Sequence, residues 1–340
     1  MDRSKIAMIV FAVASVMAMV AAHFVSILYT PASYTPETKL FMIERGTGFG
    51  TIASNLEKEG LIKNTYAVNL AAKIKKAHRY IQAGEYELNT GMTPIEIINN
   101  LKKGKTKKYS VTIPEGFRIT EIAARLDANG LVTADEFIHY TLDSETPAKH
   151  GIDSSTVEGY LFPDTYLFSR GVTPKEIVTV MTRRFKQVYN ELDPSGKGSK
   201  GLNKEEIVIL ASIIEKEAGT TAEMERISSV FRNRLGRNMK MQSCPTVIYD
   251  IKNFDGNLKL VHLRTDTPHN TYTRKGLPPG PIASPGKRAL TAALNPSNEN
   301  YLYFVSKNNG THYFSKNLKE HNSAVNKFQK GMSWLTLENQ

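Results

Sequence analysis

Apolar positions fall into three different periods along this chain. From Ile6 to Leu28 they run almost unbroken, 23 residues with no Asp, Glu, Lys or Arg. As a helix, that run is long enough to cross a bilayer core. Further on, two segments share one pattern 70 residues apart: Ile43, Gly46, Ile52, Ala53, Leu56, Gly60 and Leu61 recur as Ile113, Gly116, Ile122, Ala123, Leu126, Gly130 and Leu131. The order predicts a short strand, a glycine turn, an amphipathic helix and a glycine that ends it. Two copies are too few for a solenoid, so they predict two related small α+β modules, at 38–108 and 109–145.

The second half returns to the helical period. It predicts helices from Pro174 to about Asn190, from Asn203 to Gly219, and from Ala222 to Leu235 with Val230, Phe231 and Leu235 inward. The aromatic run Glu158–Tyr166 contains Pro163, which forbids a continuous helix. It reads as a sugar-stacking wall or as a strand and turn packed in the core. Asp193–Gly201 reads as a surface linker, and 241–249, 269–272 and 276–281 read as loops or strands. Tyr301–Ser306 and Thr311–Ser315 flank a Lys-Asn-Asn-Gly turn and predict a hairpin.

The stretch Asn203–Gly219 (NKEEIVILASIIEKEAG) carries the most chemistry. Asn203 as N-cap and Glu206 three residues on make a capping box. At ~100° per residue from Ile207, Glu217 falls near about 280°, between Ile213 and Leu210, inside the apolar arc. Glu215 lies at the arc's edge and Lys216 faces out. A carboxyl pressed into an apolar face has its charged form disfavoured, and a carboxyl kept protonated near neutral pH is what a general acid needs. The other reading of Glu217 is a structural pairing with an Arg.

Arg3 and Lys5 precede the apolar run, which places the N-terminus in the cytoplasm and everything from Tyr29 onward outside. A cleaved signal peptide is the rival, with Val20-Ala21-Ala22 as a small-residue cleavage site. The net charge of +11 then favours anionic lipid or wall polymers over nucleic acid as partners, with the lysines of 102–108 as a basic linker. With one cysteine, Cys244, an internal disulfide is impossible and a thiolate metal site is excluded. The eight histidines form no HxxxH or HxH pair, and there is no GxSxG elbow or GxxxxGK[ST] loop. Ser284-Pro285-Gly286-Lys287 matches SxxK by spacing alone, with Pro and Gly inside it. A pyridoxal-phosphate lyase would need a phosphate cradle that the chain lacks. No metal and no cofactor is expected.

Several motifs occur in order: the anchor, a small module, EGYLFPDTY, ASIIEKE, FRNRL, MQSCPTVIY, HNTY, GLPPGPI and YLYFVS. Together they resemble the membrane-bound endolytic murein transglycosylases, the MltG (YceG-like) family, over about residues 38–328. The small module is similar to LysM-type carbohydrate-binding modules. The resemblance implies cleavage of the MurNAc–GlcNAc bond of nascent peptidoglycan without water, leaving 1,6-anhydroMurNAc ends and limiting chain length. It implies Glu217 as the catalytic acid/base, agreeing with the helix-face argument. It also implies Glu158, Asp164, Gln242, Thr246, Asn270 and Tyr272 as residues that hold the sugar, although a structural role suits each alone. The family's loop commonly reads Gln-Ser/Thr-Asp-Pro-Thr, and Cys244 stands where that Asp would be.

The expected protein is therefore α+β: residues 1–29 a cytoplasmic tail and membrane anchor, 38–108 and 109–145 the small modules, and 146–340 a catalytic domain outside the cytoplasmic membrane. Its expected partners are glycan strands, the membrane, glycan polymerases and penicillin-binding proteins, with no nucleic acid. The alternative is a non-catalytic, membrane-anchored scaffold that binds peptidoglycan.

Overall fold

The computed structural model describes residues 3–329. The chain is mixed α+β and begins with an apolar helix, α1 (Arg3–Tyr29), long enough to span a membrane. It divides into two compact units. One runs to Ser110 and takes back Leu167–Val172; the other holds Val111–Tyr166 and the chain from Thr173 on.

In the first unit, β1 (Thr38–Ile43), α2 (Phe49–Lys58), α3 (Thr65–Ile74), β2 (Gly84–Asn89) and α4 (Pro94–Lys102) follow in order. The two strands pair antiparallel, Thr38 opposite Asn89 and Ile43 opposite Gly84. Phe41, Ile43, Ile52, Leu56, Val68, Tyr86, Leu88 and Ile98 fill the core between strands and helices. The last turns of α1 join it: Leu28 is buried, and Phe24 and Ile27 pack against the same cluster.

The repeated glycines have a shared physical cause. After α2, Gly60 adopts φ +68°, and the Leu61 N–H donates to the Leu56 carbonyl at 2.8 Å. Gly130 and Leu131 repeat this at φ +63° and 3.2 Å to the Leu126 carbonyl. In each, a left-handed residue closes the helix end and the following Leu buries against it. The first copy lies in the first unit and the second copy in the second.

β3 (Tyr109–Thr112) leads into the second unit, where α5 (Ile119–Ala128), α6 (Ala134–Leu142) and the short α7 (Thr146–Lys149) follow; β3 pairs with β4 (Thr165–Phe168). Then come α8 (Pro174–Leu192), α9 (Lys204–Glu217), α10 (Met224–Gly236), α11 (Cys244–Tyr249), α12 (Leu260–Arg264) and α13 (Lys287–Leu294). A hairpin of β5 (Tyr303–Ser306) and β6 (His312–Ser315) and a final helix, α14 (Leu318–Phe328), complete it.

The element at the centre is α9. Its predicted capping box is present: Asn203 Oδ1 accepts from the Glu206 N–H at 3.0 Å, and the Asn203 N–H donates to Glu206 Oε2 at 2.8 Å. The apolar stripe expected on one side turns out to be incomplete as a description. Every residue from Ile207 to Ile214 is buried, because α8, α10, α11 and α13 pack around this region and α9 touches three of them. A helix buried all round is a core helix rather than an amphipathic surface one. Its one polar residue there, Ser212, is satisfied by donating to the Ile209 carbonyl and accepting from the Ile282 N–H.

The aromatic run settles as core: Tyr160, Leu161, Phe162 and Tyr166 are all buried. The stretch 244–249, expected as loop or strand, is the helix α11, since Pro245 in the first turn costs no hydrogen bond there.

Candidate active site

The C-terminal end of α9 opens on a cavity of about 550 Å³, with Glu217 as its wall at the helix's last residue. Gln242, Cys244, Tyr272, Tyr303, Arg234 and His312 face the same space. Among the described residues lining it, Glu217 is the only carboxylate.

The carboxyl group is held from several sides. Ser243, itself buried, donates its hydroxyl to Glu217 Oε1 at 2.5 Å. Enclosure in protein raises the Glu217 pKa above an ordinary glutamate, opposed by the Ser243 hydrogen bond and by the charges of His312 and Arg234. The terminal position adds to the same bias, because a helix C-terminus carries partial negative charge. The result is a carboxyl biased towards its neutral form, with cations and a hydroxyl at hand to steady the anion once a proton has left.

Arg234 is buried at 7 % exposure, on the inward face of α10 between Phe231 and the loop that follows. Its guanidinium donates to the Leu302 carbonyl at 2.7 Å and the Met241 carbonyl at 2.6 Å, and lies 5.1 Å from the centre of the Tyr303 ring. It therefore ties the 241–243 loop to the start of the hairpin. His312, on β6, sets its Nδ1 2.9 Å from Glu223 Oε2, and its backbone N–H donates to the same carboxylate at 2.9 and 3.1 Å. Glu223 is thus engaged by His312, whose Nε2 is the ring nitrogen left for the cavity.

The hairpin turn meets the chain just beyond α9 backbone to backbone. A Cβ on Gly219 would lie 2.3 Å from the Gly310 carbonyl oxygen in the hairpin turn. Only glycine allows that approach. The 242–246 segment, where the chain enters α11, is fixed from behind: the Ser243 N–H donates to Thr271 Oγ1 at 3.0 Å, and Thr246 donates to the Ser243 carbonyl at 2.6 Å. Gln242 takes up φ +51°, which turns the chain so that residues 242 and 244 both border the cavity.

Similarity to known proteins extends over nearly all of this. The family model described as the YceG-like family matches residues 41–327. The chain belongs to the YceG-like family. It is 36 % identical over 302 residues to a Bacillus subtilis protein named endolytic murein transglycosylase, covering 84 % of this chain and 83 % of that one. A Streptococcus pneumoniae protein of the same name is 29 % identical over 319 residues, 83 % of this chain but 57 % of that protein's length. Among solved structures, a YceG-like protein from Listeria monocytogenes aligns with TM-score 0.57 and 31 % identity, over 84 % of this chain and 98 % of that one.

Of the residues singled out from sequence, Glu217, Gln242 and Tyr272 come together at the cavity. Thr246 and Asn270 stand behind its wall. Asn270 is fully buried, and its amide donates to the His262, Leu263 and Thr265 carbonyls, so it organises a loop. Glu158 and Asp164 are not among the lining residues. Asp164 accepts from Arg184 at 2.7 Å, and Glu158 Oε2 accepts from the Ile119 N–H at the start of α5. Cys244 occupies the loop position noted for its missing acid, with Sγ 3.1 Å from the Tyr272 hydroxyl.

Sequence reasoning passed over Ser243, Arg234 and His312. Ser243 sat inside a motif already marked. Arg234 had a signal: it lies three and four residues beyond Phe231 and Val230, so it continues their apolar stripe where a solvated charge would not. His312 shares a strand face with Phe314 on the expected hairpin, which marks it as turned inward with an aromatic.

Proposed function

We propose that this protein is an endolytic murein transglycosylase, cutting MurNAc–GlcNAc bonds of nascent glycan strands, with Glu217 as its single acid/base. The observation that carries the reading is one carboxyl, biased towards its neutral form and the only carboxylate among the described residues that line the cavity. A hydrolase needs a second carboxylate to attack or to activate water. A transglycosylase does not, because the sugar supplies its own nucleophile. Glu217 gives its proton to the glycosidic oxygen as the C1–O bond breaks. As carboxylate it then takes the proton of the 6-hydroxyl, whose oxygen bonds to C1 and closes the 1,6-anhydro ring. Ser243, Arg234 and His312 steady the anion between the two transfers.

Gln242 and Tyr272 contact the sugar, and Thr246 and Asn270 act through the loop that presents them. In this reading α1 is a single-pass anchor with the N-terminus in the cytoplasm, so cutting occurs outside and close to the membrane, beside glycan polymerases and penicillin-binding proteins. Residues 38–108 serve as a LysM-like module that holds the strand, supported by the order strand, helix, helix, strand and by the antiparallel pairing of β1 with β2.

The test is mass spectrometry of uncrosslinked glycan strands incubated with the full-length protein in detergent, beside Glu217→Gln. Anhydro-ended fragments are expected from the wild type, reduced by ~10²–10⁴-fold or more in the variant. Reducing-ended fragments would mean a hydrolase. Binding without cleavage by the wild type would mean a scaffold.

A further inference from the structure

Among the described residues, the first unit presents an exposed apolar stripe. On α3, Ala67, Val68, Ala71 and Ala72 face the core, while Tyr66, Leu70 and Ile74 are 88 %, 48 % and 69 % exposed. Their spacing of four places them in one row along the helix. Cations frame the row's C-terminal end: Lys73, Lys75, Lys76 and Arg79 are exposed, and Lys102 reaches across to the Lys75 carbonyl and lies 5.5 Å from the Tyr80 ring centre. Residues 61–84 contain no Asp or Glu. Large apolar side chains bordered at the C-terminal end by lysines match the chemistry of an anionic bilayer surface, with the Glu57 carboxylate bonded to Thr65 at the other end of the helix.

Placement makes the same point independently. The apolar window of α1 buries none of its residues against the protein, and contact begins at Phe24, Ile27 and Leu28. The free stretch Ile6–His23, at ~1.5 Å per residue, is about 27 Å long, close to the ~30 Å of a hydrocarbon core. If α1 spans the membrane, the lipid headgroups lie at about residue 24. The elements packed against that end of α1 are α3 and α4.

Resting on the anchor reading of α1, we infer that the Tyr66–Leu70–Ile74 face of α3, with Lys73, Lys75 and Lys76, docks on the anionic lipid surface from which α1 emerges. The first unit is then seated on the bilayer rather than swinging on a tether.

The experiment uses the full-length protein in phosphatidylcholine vesicles with and without phosphatidylglycerol. Tyr66→Trp is made in a Trp334→Phe background so that one indole reports. With phosphatidylglycerol, emission shifts to shorter wavelength and is lost when the lipids are brominated near the headgroup; adding Lys73→Glu and Lys75→Glu reverses both changes. Emission typical of water with no bromine quenching overturns the inference, as does quenching that is equal without anionic lipid. A shift produced by soluble glycan fragments and not by lipid overturns it too, and assigns the face to the wall. A separate Val16→Trp probe, quenched by bromine deep in the acyl chains, reports on α1 alone; its failure would overturn the anchor reading and with it the basis of the docking.

Discussion

Glu158 offers a direct test of how burial acts on a carboxyl in this fold. It is 3 % exposed, Oε2 accepts from the Ile119 N–H at 3.2 Å and from the Tyr249 hydroxyl at 3.4 Å, and Oε1 has no hydrogen-bond partner. Burial pushes its pKa from an ordinary 4.5 up to about 7, against the Ile119 and Tyr249 hydrogen bonds and the Arg118 charge, which lower it. Between those pH values the folded chain holds a proton that the unfolded chain has released, so stability falls as pH rises through the window. At ~1.4 kcal/mol per pH unit the whole effect is about 3 kcal/mol.

Glu158→Gln keeps the shape and the acceptor for Ile119 and removes the titration. Its melting temperature relative to wild type should therefore climb as pH goes from 4.5 to 7 and level off above. For a unit of this size the climb is roughly 6–12 °C. Differential scanning calorimetry of full-length wild type and variant in detergent, at matched pH values, reads it. Any offset that is the same at every pH reflects packing and is irrelevant. A melting difference that does not change with pH refutes the reasoning, because it means Glu158 does not titrate in that window.

Three further outcomes follow from the site. Ser243→Ala removes a hydrogen bond that favours the Glu217 anion, so the Glu217 pKa rises further and the alkaline limb of a pH–rate profile moves to higher pH; an unmoved limb would separate Ser243 from the proton. Gly219→Ala puts a methyl 2.3 Å from the Gly310 carbonyl, so the hairpin turn must shift, at ~1–3 kcal/mol, and glycan cleavage should fall while far-ultraviolet circular dichroism stays native. Arg234→Met leaves the buried Leu302 and Met241 carbonyls without their donor, costing roughly 1–3 kcal/mol for each by calorimetry.

What was legible in advance was local. The capping box at Asn203, the glycine-closed helices of the repeat, the hairpin and the long apolar helix all follow from residues within a few positions of one another. Glu217 was found by its place on a helix face, although its enclosure comes from elsewhere: Ser243 lies 26 residues on, and the Gly310 turn that abuts Gly219 lies 91 residues beyond that glycine in the chain. Contacts that distant leave no periodic trace. Glu158 and Asp164 are polar residues of a motif that the family resemblance points to, but polarity in a motif does not say which way a side chain turns. One caps α5 and the other meets Arg184.

The abutment of Gly219 on Gly310 also has a temporal consequence. A chain is made from its N-terminus, so Asn203 and Glu206, the capping-box pair of α9, exist long before residue 310 does. The cavity must wait for Tyr303 and His312 to arrive and wall in Glu217. Until that last hairpin docks, Glu217 lacks one wall of its cavity and the His312 charge beside it. The architecture thus leaves the site unfinished until late in the chain: Tyr303 and His312 complete the wall around a residue 86 and 95 positions before them.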